Sequence, residues 1–179
     1  RLLDEAGSAV ADGEVGELYS RSPYLFNGYF NRPDETAAVV RDGWASAGDL
    51  AHRDGDGHYY IVGRRKDMIV SGGINVYPRE IEEVIDELDG VRRSAAVGVV
   101  DGDDAATEQV IVVAEIERSV DEAGRLAIRS KVVAGTREAV GFLPRDVVFV
   151  APGEIPRTPT GKIQYDELRR LLASDAAIC

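Results

Sequence analysis

Cysteine is nearly absent from this 179-residue chain: the single thiol is Cys179, so no internal disulfide can form. That usage leans to a reducing compartment, and the cytoplasm is the expected location. Histidine is scarce too, at two residues, so a structural zinc site lacks ligands and no metal site is expected. Positive charge is in deficit, because 21 Lys and Arg face 32 Asp and Glu for a formal charge of −11. Phosphate backbones bind basic surfaces, so nucleic acid is excluded as a bulk partner. Long apolar runs are missing, and stretches such as 95–100 and 110–114 are far too short to span a bilayer. The first residues carry no charged segment followed by an apolar one, which excludes a signal peptide. They read as a strand entering a turn, and a start at Arg1 instead of Met reads as a start in the middle of something.

Glycine, by contrast, is plentiful. In the first third Gly7, Gly13, Gly16, Gly28, Gly43, Gly48, Gly55, Gly57 and Gly63 recur with Asp, Asn and Pro. Short β-branched or aromatic runs at 17–20 and 58–62 lie between them, the texture of small β hairpins. Pro33 followed by Asp34, Glu35 and Thr36 predicts a short helix. The basic cluster Arg64, Arg65, Lys66 then interrupts the acidic chain, and the texture changes. A strand is expected at 68–71. A helix is expected at 78–88, where Ile81, Val84, Ile85 and Leu88 keep helical spacing between Pro78 and Gly90. Strands at 94–100 and 109–117 flank a polar turn. A second helix at about 121–140, weakened by Gly124 and Gly135, precedes a strand at 146–150 and a helix at 165–173. This order suggests a small α+β domain from about residue 67 onward.

Three segments could carry chemistry. In the first, Pro156, Arg157, Thr158, Pro159, Thr160, Gly161 and Lys162 invite a phosphate-loop reading. It fails, because Ile163 replaces the needed Ser or Thr and Pro156 stands where a glycine should. Lys162 is then either a surface lysine after a stiff turn or a cation positioned to offset phosphoryl or carboxylate charge. In the second, Ser71, Gly72 and Gly73 form either a plain strand-to-helix turn or a wall that a slim thiol arm can approach. In the third, Asp49 after Gly48 is either a turn residue or an acceptor for a ribose diol. Asp54, Gly55, Asp56 and Gly57 begin like a calcium loop, but Arg65 occupies its twelfth position, so a hairpin turn is expected.

Order and spacing say more than any one segment. The chain shows in turn Gly16, Glu17, Leu18; Gly28, Tyr29 with Arg32 to Thr36; Gly43, Trp44 with Gly48, Asp49, Leu50; Gly63, Arg64, Arg65, Lys66, Asp67; Ser71, Gly72, Gly73, Ile74, Asn75, Val76, Tyr77, Pro78; and finally Pro156 to Ile163. This series strongly resembles the adenylate-forming superfamily, and within it fatty acyl-CoA synthetases, from about Leu2 to Leu172. The Ser/Thr/Gly-rich phosphate loop of that family is absent here. The resemblance therefore implies the family's C-terminal portion: a β-rich end of the large N-terminal part over 1–65, then a small mobile α+β domain over 66–179.

The resemblance also implies a two-step reaction. A carboxylic acid attacks the α-phosphate of ATP to give acyl-AMP and pyrophosphate, and the thiol of CoA then displaces AMP. Asp49 and Arg64 are implied to bind the ribose, and Lys162 to be the catalytic cation between carboxylate and α-phosphate. Lys66 is implied to be the hinge, and Ser71, Gly72 and Gly73 to line the pantetheine channel. ATP and Mg2+ would be held mainly by the N-terminal part, so the 179 residues alone are expected to be inactive. Two departures stand out. Ala47 replaces a frequent Thr or Ser near the nucleotide. The acidic stretch from Asp101 to Glu108 resembles relatives that load an acyl-carrier protein, whereas the Ser71 stretch favours CoA. A ligase for a carrier protein, or a non-catalytic module docking CoA or a carrier protein, are the alternatives.

Overall fold

The computed structural model describes residues 1–100 and 107–175. Most of the expected acidic turn, 101–106, lies outside the described residues. The chain divides into two compact units, Arg1–Lys66 and Asp67–Cys179. The architecture is α+β.

The first unit holds strands β1 (Leu2–Leu3) and β2 (Gly16–Leu18), helix α1 (Pro33–Val39), and strands β3 (Val40–Arg41), β4 (Trp44–Ala45), β5 (Asp49–Arg53) and β6 (Tyr59–Arg64). An antiparallel sheet runs in the order β1-β2-β5-β6, and β3 pairs with β4 in a separate hairpin. The glycines set its turns. At Gly28 (φ +139°) a Cβ would stand 2.8 Å from Thr36, so only glycine lets this loop lie against the first turn of α1. The Thr36 hydroxyl accepts the Tyr29 N–H and donates to the Arg32 carbonyl, which fastens the loop to the helix.

The second unit follows a 3₁₀ turn at Arg65–Asp67. It contains β7 (Ile69–Ser71), β8 (Ile74–Val76), α2 (Pro78–Asp86), β9 (Val91–Val100), β10 (Glu108–Ile116), α3 (Glu122–Val140), β11 (Asp146–Val150) and α4 (Tyr165–Asp175). Its central sheet has the order β11-β10-β9, with β10 antiparallel to β9 and parallel to β11. Strand alternation sends successive side chains to opposite faces. Ala96, Val110, Val112, Ile116 and Val147 join Ile81 and Ile85 of α2 and Ile128 and Val132 of α3. Ala95, Val97 and Val113 join Ile155 and Leu168 on the other face. The sheet is thus covered on both sides.

One expectation is corrected. Gly72 and Gly73 do not form a strand-to-helix turn. They are the tip of the β7–β8 hairpin, which pairs Ser71 with Ile74. Both take positive φ, +57° and +79°, as a two-residue turn of the primed type requires. The sequence hid β8 because Ile74, Asn75 and Val76 are too few to register as a strand. The helix expected at about 121–140 is α3, and Gly124 and Gly135 lie within it. Asp121 caps it by accepting the Gly124 N–H at 2.8 Å, and it runs unbroken to Gly141. At Gly135 a Cβ would meet Val84 at 3.0 Å and Ile85 at 3.2 Å, so this glycine lets α2 and α3 approach.

That contact is testable. Gly135→Val adds two further methyl groups where the first added carbon is already tight, and overpacking of this kind costs about 1–3 kcal/mol. Thermal unfolding should show a lowered melting temperature, and an unchanged one would mean that the helices do not need the glycine.

Candidate functional site

In the first unit, Asp49 opens β5 and Arg64 closes β6, and strand register sets them opposite each other. Arg64 Nε donates to Asp49 Oδ1 at 3.1 Å, and Arg64 also donates to the Ala47 carbonyl at 2.6 Å. Both side chains stay about half exposed, at 48% and 40%. An ion pair this open contributes about 0–1 kcal/mol, so stability is a weak reason for the pairing. Beneath it, buried Ser46 donates to Glu17 at 2.5 Å and accepts the Gly48 N–H at 3.0 Å, while Arg65 donates to Glu17 at 2.9 Å. The Ser46 hydroxyl is therefore committed internally and does not stand in for the hydroxyl that Ala47 lacks. Lys66 is the last residue of this unit, inside the 3₁₀ turn.

In the second unit, Gly72 and Gly73 are exposed, with no atom within 4 Å of a Cβ built on either, so the space before the hairpin tip is open. The arms of the hairpin are fixed. Ile69 and Val76 are fully buried, and the Val70 N–H donates to Glu108 of β10 at 2.8 Å. Glu108 does not end an acidic turn, although its sequence setting suggests so. It begins a strand and holds the hairpin by one carboxylate oxygen.

Lys162 is exposed near the tip of a miniature hairpin. Arg157 bridges Ile163, and the Gln164 N–H donates to the Pro156 carbonyl at 2.9 Å. The Thr158 N–H donates to the Lys162 carbonyl at 2.8 Å, the Gly161 N–H to the Thr158 carbonyl at 2.8 Å, and the Lys162 N–H to the Thr158 hydroxyl at 3.1 Å. Gly161 takes the left-handed conformation that closes the turn, φ +85°.

Two carboxylates, one buried and one partly buried, which composition gave no reason to single out, brace this hairpin. Glu115 of β10 is 2% exposed and accepts the Ile155 N–H at 3.0 Å and Arg157 at 3.2 Å. Glu82 of α2 accepts the Tyr165 hydroxyl at 2.9 Å and the Ala96 N–H at 3.0 Å. Burial pushes the Glu82 carboxyl from 4.5 up to about 7, with Asp86 and Asp67 adding to the rise and the Ala96 and Tyr165 hydrogen bonds opposing it. Burial, then Glu82 itself, raises the Tyr165 phenol. The sequence signal for both was an acidic residue inside an apolar-periodic element, Glu82 between Ile81 and Ile85 and Glu115 between Ala114 and Ile116.

Among the described residues, Asp54, Asp56 and His58 bring three candidate metal-ligand atoms within 4.8 Å of one another. Asp54 is already engaged: Oδ1 accepts the N–H groups of Asp56 and His58, and Oδ2 accepts the Tyr60 hydroxyl. Those bonds, the His58 N–H first, hold its carboxyl below the usual range. The cluster closes the β5–β6 hairpin and lies on an exposed loop.

Residues 73–165 match the AMP-binding enzyme C-terminal domain, and the chain belongs to that family. The matched span includes Gly73 and Lys162 and begins after Lys66, Ser71 and Gly72. A medium/long-chain-fatty-acid–CoA ligase of Mycobacterium tuberculosis is 41% identical over 161 residues, 90% of this chain and 28% of that protein. The amide bond synthetase McbA from Marinactinospora thermotolerans superposes with a TM-score of 0.82 at 34% identity, over 95% of this chain and 34% of that one. ATP-bound MatB from Rhodopseudomonas palustris does so with a TM-score of 0.79 at 35% identity, over 96% of this chain and 33% of that one. The chain therefore spans about a third of the length of these proteins.

Glu82 gives a pH prediction. Its folded-state pKa is raised, so between about 4.5 and 7 the folded chain holds a proton that the unfolded chain has released. Stability is greatest on the acid side of that window and falls as pH rises through it, by roughly 3 kcal/mol at most. Melting temperatures between pH 5 and 8 should fall more steeply for the native chain than for Glu82→Gln. Parallel profiles would show that Glu82 is not held protonated.

Proposed function

We propose that this chain is the C-terminal share of an acyl-CoA synthetase, which activates a fatty or related carboxylic acid with ATP and passes the acyl group to CoA. The observation that carries the reading is Lys162, an exposed ammonium on a short hairpin braced at its root. In the first step a substrate carboxylate oxygen attacks the α-phosphorus of ATP and the bond to the β-phosphate bridge breaks, giving acyl-AMP and pyrophosphate. Negative charge gathers at the in-line displacement, and Lys162 offsets it as a compact point charge. Asp49 accepts hydrogen bonds from the ribose hydroxyls, with Arg64 holding its carboxylate. In the second step the CoA thiol gives up its proton, attacks the acyl carbonyl and expels AMP.

The small domain, from Lys66 onward, turns between the steps, with Lys66 as the hinge. Turning withdraws Lys162 and brings in Gly72 and Gly73, past which the pantetheine arm runs, with Ser71 beside it. Two features support this exchange. The glycine hairpin packs with the cluster on one face of the β11-β10-β9 sheet, and the root of the Lys162 hairpin packs with the cluster on the other. No atom crowds the space before the glycines.

ATP chemistry draws on Mg2+ to neutralise phosphate charge. The Asp54 cluster does not fit that task, since its carboxylate is taken up by its own turn. The large N-terminal part would supply the Mg2+ ligands, and no step here runs through the ion. The lone cysteine supports a cytoplasmic enzyme. No helix among the described residues is long and apolar enough to cross a membrane. Transfer to a carrier protein is the second reading, favoured by the acidic stretch from Asp101 to Glu108.

The intact enzyme provides the test. Lys162→Ala should lower ATP–pyrophosphate exchange by about 10²–10³-fold and leave conversion of supplied acyl-AMP to thioester largely unchanged. Gly73→Leu should do the reverse. Gly73→Asn, which fills the same space but tolerates the left-handed turn, separates blockage from backbone strain. Equal loss of both steps in each variant would overturn the two-face scheme. Use of a carrier protein in place of CoA would select the second reading, and pyrophosphate exchange by residues 1–179 alone would contradict the need for the rest of the enzyme.

A further inference from the structure

We propose that Glu115 is a positioning residue for Lys162, fixing the root of the hairpin so that the ammonium is held where adenylation needs it. This rests on Lys162 being the adenylation cation. Glu115 lies near the end of β10, the middle strand of its sheet, opposite Arg93 of β9 and Val150 of β11, on the face whose buried cluster holds Ala95, Val97, Val113 and Ile155. Removing a carboxylate from water at such a place is costly, and apolar side chains of similar volume often stabilise a fold as well as a buried ion pair does. Stability is therefore a poor reason for a charge here. Position is a better one.

The bonds of Glu115 are arranged for that purpose. Oε1 accepts the Ile155 N–H at 3.0 Å and an Arg157 guanidinium nitrogen at 3.2 Å, and the same nitrogen lies 3.4 Å from Oε2. One rigid carboxylate on a central strand thus grips the chain on both sides of Pro156, once through backbone and once through side chain. Pro156 is where the hairpin begins. Its carbonyl accepts the Gln164 N–H, and Arg157 bridges Ile163, so a tilt at the root moves the whole turn. Between root and tip the segment is stiff: Pro159 fixes its own backbone angle, and the Thr158 hydroxyl accepts the Lys162 N–H. The Tyr165–Glu82 hydrogen bond holds the outgoing arm. Displacement of a reacting group by about 1 Å can cost about 10²-fold in rate, so a loosened root would register in the chemistry before it registered in folding.

The test uses the intact ligase and four measurements: ATP–pyrophosphate exchange, thioester formation from supplied acyl-AMP, the KM for the acid, and the melting temperature. Glu115→Gln keeps the shape and loses the charge. It should lower exchange by about tenfold to 10²-fold with little change in KM, and thioester formation should stay within about twofold. Arg157→Lys, at a partly exposed position, keeps the charge and loses the planar fork, and should show a smaller loss confined to the same step. Combined with Lys162→Ala, neither variant should lower exchange further, because groups acting through one another are not additive. The proposal is overturned if both steps fall in proportion, if the losses add to that of Lys162→Ala, or if Arg157→Lys leaves exchange unchanged. Should Glu115→Gln fail to fold, Arg157→Lys decides alone. A Lys162→Ala enzyme with normal exchange would instead refute the role of Lys162, whatever the Glu115 variants do.

Discussion

The second unit depends on a requirement of its central sheet: β11-β10-β9 is apolar on both faces and must be covered on both. Helices α2 and α3 cover one face, and α4 with the segment from Ile155 to Tyr165 covers the other. Everything of functional interest in this unit hangs on that covering. The glycine hairpin is fastened to the first face through Ile69, Val76 and Glu108. The lysine hairpin is fastened to the second through Ile155, Ile163 and Glu115. One sheet thus carries two different hairpins, one fastened on each face.

Polar groups within this apolar framework are few and specific. Glu115 and Glu82 lie on different elements, and each takes a backbone N–H together with a side-chain donor. They settle their charge differently. Glu115 faces a guanidinium, whereas Glu82 faces a neutral phenol, with Asp86 and Asp67 nearby, and is pushed toward the protonated form. Both carry cost that an apolar residue would avoid, and both terminate on the segment that presents Lys162. The nucleotide candidates in the first unit follow the opposite design. Asp49 and Arg64 are brought together by strand register, sit half exposed, and lean on the buried Ser46–Glu17–Arg65 contacts beneath them.

Much of this was legible in the sequence because it is local. The helix after Pro78 shows in the spacing of Ile81, Val84, Ile85 and Leu88, and the long strands show in runs of β-branched residues. Spacing failed where an element is held by partners instead of by its own pattern. Strand β8 exists because β7 lies beside it. Helix α3 was legible at about 121–140, but the pattern did not show the purpose of Gly135, which leaves room for Val84 and Ile85 of α2. Likewise Glu82 and Glu115 looked like ordinary acidic residues, since nothing in a one-dimensional pattern shows that Tyr165 and Arg157 will meet them from 83 and 42 residues away.

The sequence by itself determined the class of elements, the family to which residues 73–165 belong, and the identity of Lys162, Asp49 and Arg64 as residues to watch. Motif order is linear information, and turn glycines, prolines and apolar periods act over a few residues. Tertiary structure alone decided that Gly72 and Gly73 cap a hairpin, that this hairpin and the lysine hairpin join clusters on opposite faces of one sheet, and that the buried Glu115 carboxylate binds Ile155 and Arg157 at the root of the lysine hairpin. Those outcomes depend on which face of a strand each side chain takes and on how desolvated charges find donors, and both are settled only when distant segments pack.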